Sequence, residues 1–189
     1  MEPNRPDLGD WLEGYLFDRR IVVLRGPLDE ASSTRLATEL MTLDATGDSP
    51  ITMQVDSPGG SLGAALTLVD VIELLGVPVH VLAMGRVEGS AVAVVASGAK
   101  RSSLAHTRFR FSDPQVSFEA RASEAEQLAR VELDLLLRYH DHLARALGRP
   151  TEEVTGWCAS GRYVTATEAR EIGLIDDVSG ERASLRPVR

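Results

Sequence analysis

The chain reads as an α/β protein on three observations. Short β-branched or apolar runs ending in glycine or proline alternate with stretches of helical spacing, the links between them are short, and one long amphipathic helix follows the alternating part. Strand-helix alternation with short links implies parallel strands joined by right-handed crossovers. At 189 residues, 43% of them apolar, the chain can bury one substantial core. One domain over 1–189 is therefore expected, with 1–15 and 180–189 loose.

Each element has its own signal. Ile21-Val22-Val23-Leu24 is a strand stopped by Gly26-Pro27. Residues 28–43 place Leu36, Leu40 and Leu43 at helical spacing, and 51–55 form the second strand. A helix over 61–75 presents Leu62, Ala65, Leu66, Val69, Val71 and Leu74; a third strand covers 79–84, and a helix of small residues 90–97. Two short strands are predicted at 101–104 and 108–111. The long helix spans 124–147, with Leu128, Val131, Leu135, Leu136, Leu143 and Leu147 on its apolar side, and Gly148-Arg149-Pro150 stops it. Residues 151–158 make a short helix whose Glu152 and Glu153 suit the positive end of the helix dipole. Thr165-Ala166-Thr167-Glu168 has capping-box spacing and starts a last helix, ended by Gly173.

A net charge of −8 and a pI near 5.0 argue against nucleic acid or an anionic membrane as a standing partner. The apolar runs are too short to span a bilayer, and the first nine residues lack the apolar core of a secretory signal. A single cysteine, Cys158, allows neither an internal disulfide nor a multi-cysteine metal site. The expected setting is cytoplasmic, with no cofactor and no metal.

Two junctions stand out. Asp56-Ser57-Pro58-Gly59-Gly60-Ser61 and Gly85-Arg86-Val87-Glu88-Gly89-Ser90-Ala91 each follow a strand and open a helix. With the segments 96–100 and 163–176, taken in order, they resemble the proteolytic subunit family of the Clp protease over about 16–178. The resemblance implies a crotonase-like α/β fold of repeated β-β-α units, a protruding helical handle at 124–147, and assembly into seven-membered rings.

In that family a serine attacks the peptide carbonyl, a histidine takes its proton, an aspartate orients the histidine, and backbone N–H groups hold the oxyanion. The resemblance puts the serine position on Gly89 and the aspartate position on Gly161, before Arg162-Tyr163. Allowing a two-residue deletion between Lys100 and Arg108, the histidine position falls on Ser112, before Asp113-Pro114. All three roles are empty. The oxyanion hole is backbone and would come from the N–H groups of Gly60 and Ser90, at a helix start that favours negative charge.

Ser90, Glu88 and His106 are the candidates for relocated groups. Ser90 is one residue late, which turns its side chain by roughly 100° at a helix start, so packing or capping is the expected role. Glu88 is expected to pair with Arg86 or another arginine, and His106 to sit in a solvated turn. His80 is expected in the core or an interface, His140 and His142 on different sides of the long helix, and Cys158 as a small buried hydrophobe. Other family features are missing. Thr52-Met53-Gln54-Val55 lacks the aromatics that help receive the ATPase partner's loop, and Ser160 replaces an arginine that helps bridge two rings. Val116 and Ser117 stand where a glycine pair shapes the substrate strand, and nothing before Leu16 matches the axial-pore hairpin. These departures speak against docking of an AAA+ unfoldase.

The reading is a catalytically inactive, ring-forming structural or regulatory subunit, alone or mixed with an active Clp proteolytic subunit. One alternative is a crotonase-like acyl-binding enzyme using the Gly60/Ser90 hole with Glu88. Another is an ATP-dependent Clp serine endopeptidase with a rewired triad.

Overall fold

The computed structural model describes residues 8–114, 121 and 123–179. In chain order its elements are helix α1 (Leu8–Phe17), strand β1 (Ile21–Arg25), α2 (Glu30–Ala45), β2 (Ile51–Ser57), α3 (Leu62–Leu74), β3 (Val79–Glu88) and α4 (Ala91–Ala96). There follow β4 (Lys100–Leu104), β5 (Arg108–Arg110), α5 (Ala125–Leu147), α6 (Thr151–Ser160), β6 (Tyr163–Thr165), α7 (Ala166–Glu171) and β7 (Asp177–Ser179). The expected α/β class is the observed one. Helix α1 overlaps the stretch expected to be loose; residues 1–7 and 180–189 lie outside the described residues.

The main sheet runs β1-β2-β3-β4-β7, every neighbouring pair parallel, as crossovers through α2, α3 and α4 require. The two remaining strands leave that path. β5 lies parallel to the far end of β3, and β6 runs antiparallel to β5. β3 is longer than its sequence predicts, because Gly85 bends the strand without ending it. The β2–β3 register shifts between Val55 and Ser57, and Gly85 takes a φ of +56° against the Asp56 carboxylate, where a Cβ would lie 2.8 Å from Oδ1. Asp56 Oδ1 accepts the Arg86 N–H at 3.2 Å, closing the bulge. Before the bend β3 pairs with β4; beyond it, Arg86 to Glu88 pair with Arg108 to Arg110.

Leu36, Leu40 and Leu43 of α2 are buried as their spacing predicts. In α3 the buried set is Leu62, Ala64, Ala65, Leu68, Val69 and Ile72, while Leu74 is 77% exposed. The stripe read from sequence therefore drifted: a 3.6-residue period running 62, 65, 69, 72 puts Leu74 on the far face. All six residues of α4 are buried, which explains its alanine-valine composition. Burying each valine contributes about 1.5–3 kcal/mol. The first part of α5 stands clear, with Leu128, Val131, Leu133 and Leu137 exposed, whereas Tyr139, His140, His142, Leu143, Ala144 and Leu147 are buried at its base. That base packs on α3, α4 and α6. Among the described residues no helix is long and apolar enough to cross a membrane.

The last strand is tied in by Asp176. Its carboxylate accepts the Arg101 N–H at 2.7 Å and the Arg101 guanidinium at 2.8 Å. Partial burial raises the carboxyl, but the Arg101 bonds and charge outweigh that and hold it below its ordinary 3.8. A depressed folded-state value contributes stability that is present above the unfolded value and lost as pH falls through the folded one. Asp176→Asn should therefore cost about 1 kcal/mol or less at neutral pH, given the exposure of the pair. The difference from wild type should close as pH falls below 3.8, measured by denaturant melts across that range.

Candidate functional site

The two glycine-bearing junctions meet because their glycines let main chains touch. A Cβ on Gly60 would lie 2.0 Å from Leu28 O, and one on Gly59 would lie 2.5 Å from Glu88 O. Leu28 N–H donates to Gly59 O at 3.0 Å and Ser61 N–H donates to Leu28 O at 2.8 Å, so the loop after β1 is stitched to the turn after β2. Ser57 Oγ accepts the Gly59 N–H inside that turn, and Ser61 Oγ accepts the Ala64 N–H to cap α3. The turn after β3 is held from the other side: Gly89 N–H donates to Arg110 O at 3.0 Å, and Gly89 O accepts the Tyr139 hydroxyl at 2.9 Å.

Between these turns lies an open cleft of about 480 Å³, lined by Gly60, Glu88, Gly89, Arg110, Ser112 and Asp113 among others. A Cβ built on Gly89 would sit 3.5 Å from Ser112 Oγ. Gly89 and Ser112, the residues expected from the resemblance at the nucleophile and base positions, are thus neighbours in space. Gly161 closes α6, and a Cβ there would lie 3.3 Å from Arg110 Nη2. Arg110 thus lies beside Gly161, 5.2 Å from the Tyr163 ring, and its buried Nε has no hydrogen-bond partner among the described residues.

Two expectations need correction. Ser90 neither caps α4 nor leaves the oxyanion hole open. Its fully buried Oγ accepts the Gly60 N–H at 2.9 Å and donates to Gly60 O at 3.1 Å, so one of the two expected oxyanion donors is already engaged. The cause is the convergence of the two turns, which points Ser90 at Gly60 and away from its own helix. Glu88 lines the cleft without an arginine partner: among the described residues no ion pair within 4.0 Å includes it, because its ladder neighbour Arg110 turns toward Gly161. His140 and His142 diverge as expected, and both are buried where the base of α5 packs on α3, α4 and α6.

His106 lies exposed in the turn between β4 and β5 and does not line the cleft. Thr52 and Gln54 are half-buried, and Met53 and Val55 face the core. Ser160 Oγ donates to Trp157 O. Val116 and Ser117 fall outside the described residues.

Sequence reasoning missed the floor behind the cleft. His140 Nε2 is bonded to Asp113 Oδ1 at 2.8 Å, and Cys158, 2% exposed, lies beside them. His142 bonds Ala93 O at 3.2 Å through Nε2 and lies 3.6 Å from Glu73. Burial holds the His142 imidazole below its ordinary value despite the Ala93 and Glu73 contacts. The one available signal was periodicity, since His140 falls on the Leu136–Leu143–Leu147 side of the helix.

A family model described as Clp protease matches residues 10–182. The chain is 32% identical to "ATP-dependent Clp protease proteolytic subunit 3" of Rhodococcus jostii, across 96% of this chain and 93% of that protein. It is 28% identical to "ATP-dependent Clp protease proteolytic subunit 1" of Thermobifida fusca, across 90% and 79% respectively.

Ser90→Ala removes a buried oxygen that serves both polar groups of Gly60. It should lower stability by about 1–2 kcal/mol, seen as a drop of roughly 3–6 °C in the melting temperature.

Proposed function

The chain belongs to the Clp protease family, and from that premise we propose that it is a catalytically inactive member acting as a structural or regulatory subunit of a ring. The observation that carries this reading is the juxtaposition of Gly89 with Ser112, while Arg110 fills the space beside Gly161. Acyl transfer needs a nucleophile within hydrogen-bond reach of a base that a third group orients. Gly89 and Ser112 line the cleft and Gly161 lies beside Arg110, and on this reading none of the three supplies any of these roles. Gly89 also takes a φ of +52°, a conformation in which a side chain is strained.

Assembly draws support from α5. Leu128, Val131, Leu133 and Leu137 project from a helix whose base alone is buried, and such an apolar surface is suited to a second subunit. Self-association into rings, or mixing with an active Clp proteolytic subunit, would cover it. The acyl-binding alternative needs the Gly60 N–H free, and the Ser90 hydroxyl competes for that group. The rewired-triad alternative needs an exposed nucleophile with a base, but Ser90 Oγ is buried and His106 lies away from the cleft. The departures at Thr52–Val55 and Ser160 support a role without an AAA+ unfoldase.

Two measurements test the proposal. Hydrolysis of a fluorogenic peptide by the purified chain should stay at background, since loss of triad members typically costs about 10⁴-fold or more in rate. Turnover that Ser90→Ala abolishes would sink the inactive reading. Native mass spectrometry should give a closed ring, of this chain alone or with an active Clp subunit. A monomer at micromolar concentration would overturn the subunit reading while leaving inactivity untouched.

A further inference from the structure

Three side chains from three elements meet behind the cleft with the donor set of a transition-metal site. His140 comes from α5, Cys158 from α6 and Asp113 from the segment after β5, and their donor atoms all lie within 4.8 Å of one another. We propose that Asp113, His140 and Cys158 form a divalent-metal site, for zinc in particular, reached from the cleft and distinct from the emptied triad.

The donor types point to zinc. One thiolate, one imidazole and one carboxylate suit this borderline-soft ion, and three protein ligands leave a fourth position for water or another small ligand. The spacing agrees. Tetrahedral ligands at about 2.0–2.3 Å from a shared zinc lie about 3.3–3.8 Å apart, so shifts of roughly an ångström or less would place these three around one ion, with His140 Nε2 and Asp113 Oδ1, now hydrogen-bonded at 2.8 Å, opening to admit it. Charge balances as well: a thiolate and a carboxylate neutralise a divalent cation, which a buried ion requires.

Access comes from one side. His140 and Cys158 are 3% and 2% exposed, whereas the Asp113 side chain is 36% exposed and lines the cleft. An ion would enter past Asp113. At neutral pH the bound form needs His140 Nε2 unprotonated, with the ring proton on Nδ1, and Cys158 as thiolate, its proton passing to solvent.

A nucleophilic role fits the same residues less well. Reactive cysteines are exposed and have a lowered thiol value. Burial first, and the Asp113 charge next, push the Cys158 thiol up to about 12, only partly offset by the Tyr139 hydroxyl. A bound cation reverses that balance by favouring the thiolate. Bound metal would cross-link the base of α5 to α6 and to the segment carrying Ser112. This inference does not rest on the ring reading.

The test uses the full chain, stripped with a chelator and titrated with cobalt(II) and zinc(II). One equivalent of cobalt should bind, giving a thiolate-to-cobalt charge-transfer band in the near ultraviolet and intense visible bands of tetrahedral cobalt. X-ray absorption of the wild-type zinc form should show one sulfur at about 2.3 Å. Cys158→Ser should lose the charge-transfer band, and His140→Asn and Asp113→Asn should each weaken binding at least tenfold. His106→Ala, altering an exposed turn histidine, should bind as wild type does. No saturable binding, a zinc shell without sulfur, or unchanged binding in Cys158→Ser would each overturn the site. The absorption measurement needs no variant, so it decides the question even if a substitution fails to fold.

Discussion

The contact on which the structure depends is one between main chains. The loop after β1, the turn after β2 and the turn after β3 converge where Gly59 and Gly60 pass Leu28 O and Glu88 O, closer than any Cβ allows. The Leu28–Gly60 bridge and the bonds from Leu28 N–H and Ser61 N–H fix this approach. Everything in the cleft follows from it: Gly60 lies under Ser90, Gly89 comes beside Ser112, and α4 starts with its whole length in the core.

The second organising feature is the base of α5. Tyr139 reaches Gly89 O, His140 reaches Asp113, and His142 reaches Ala93 O, so three adjacent or near-adjacent residues tie one helix to the cleft, its floor and α4. A buried hydroxyl or imidazole must find a partner, and each finds it on a different element. Among the described residues the exposed half of α5 has no such anchors, and Leu128, Val131, Leu133 and Leu137 lie on its surface. The helix is thus hydrogen-bonded to its surroundings where it meets the cleft and apolar where it leaves it.

Much of this was legible from residues alone. The spacing of Leu36, Leu40 and Leu43, the Thr165–Glu168 capping box and the two glycine junctions rest on local rules, and local rules do not depend on the rest of the chain. The stripe on α3 slipped because a helix packed over a wide face does not announce its edge, as Leu66 and Leu74 illustrate. The end of β3 slipped because Gly85 can terminate a strand or bulge it, and only a partner strand distinguishes the two.

By itself the sequence determined the fold class and the family, and it set glycine, which carries no side chain in any conformation, at positions 89 and 161. Tertiary structure alone decided what lies around those glycines. Ser90 turning to Gly60, Arg110 settling beside Gly161, and Asp113, His140 and Cys158 gathering behind the cleft join residues far apart in the chain. Such meetings are set by how helices pack on a sheet, and no period or spacing along the chain encodes them.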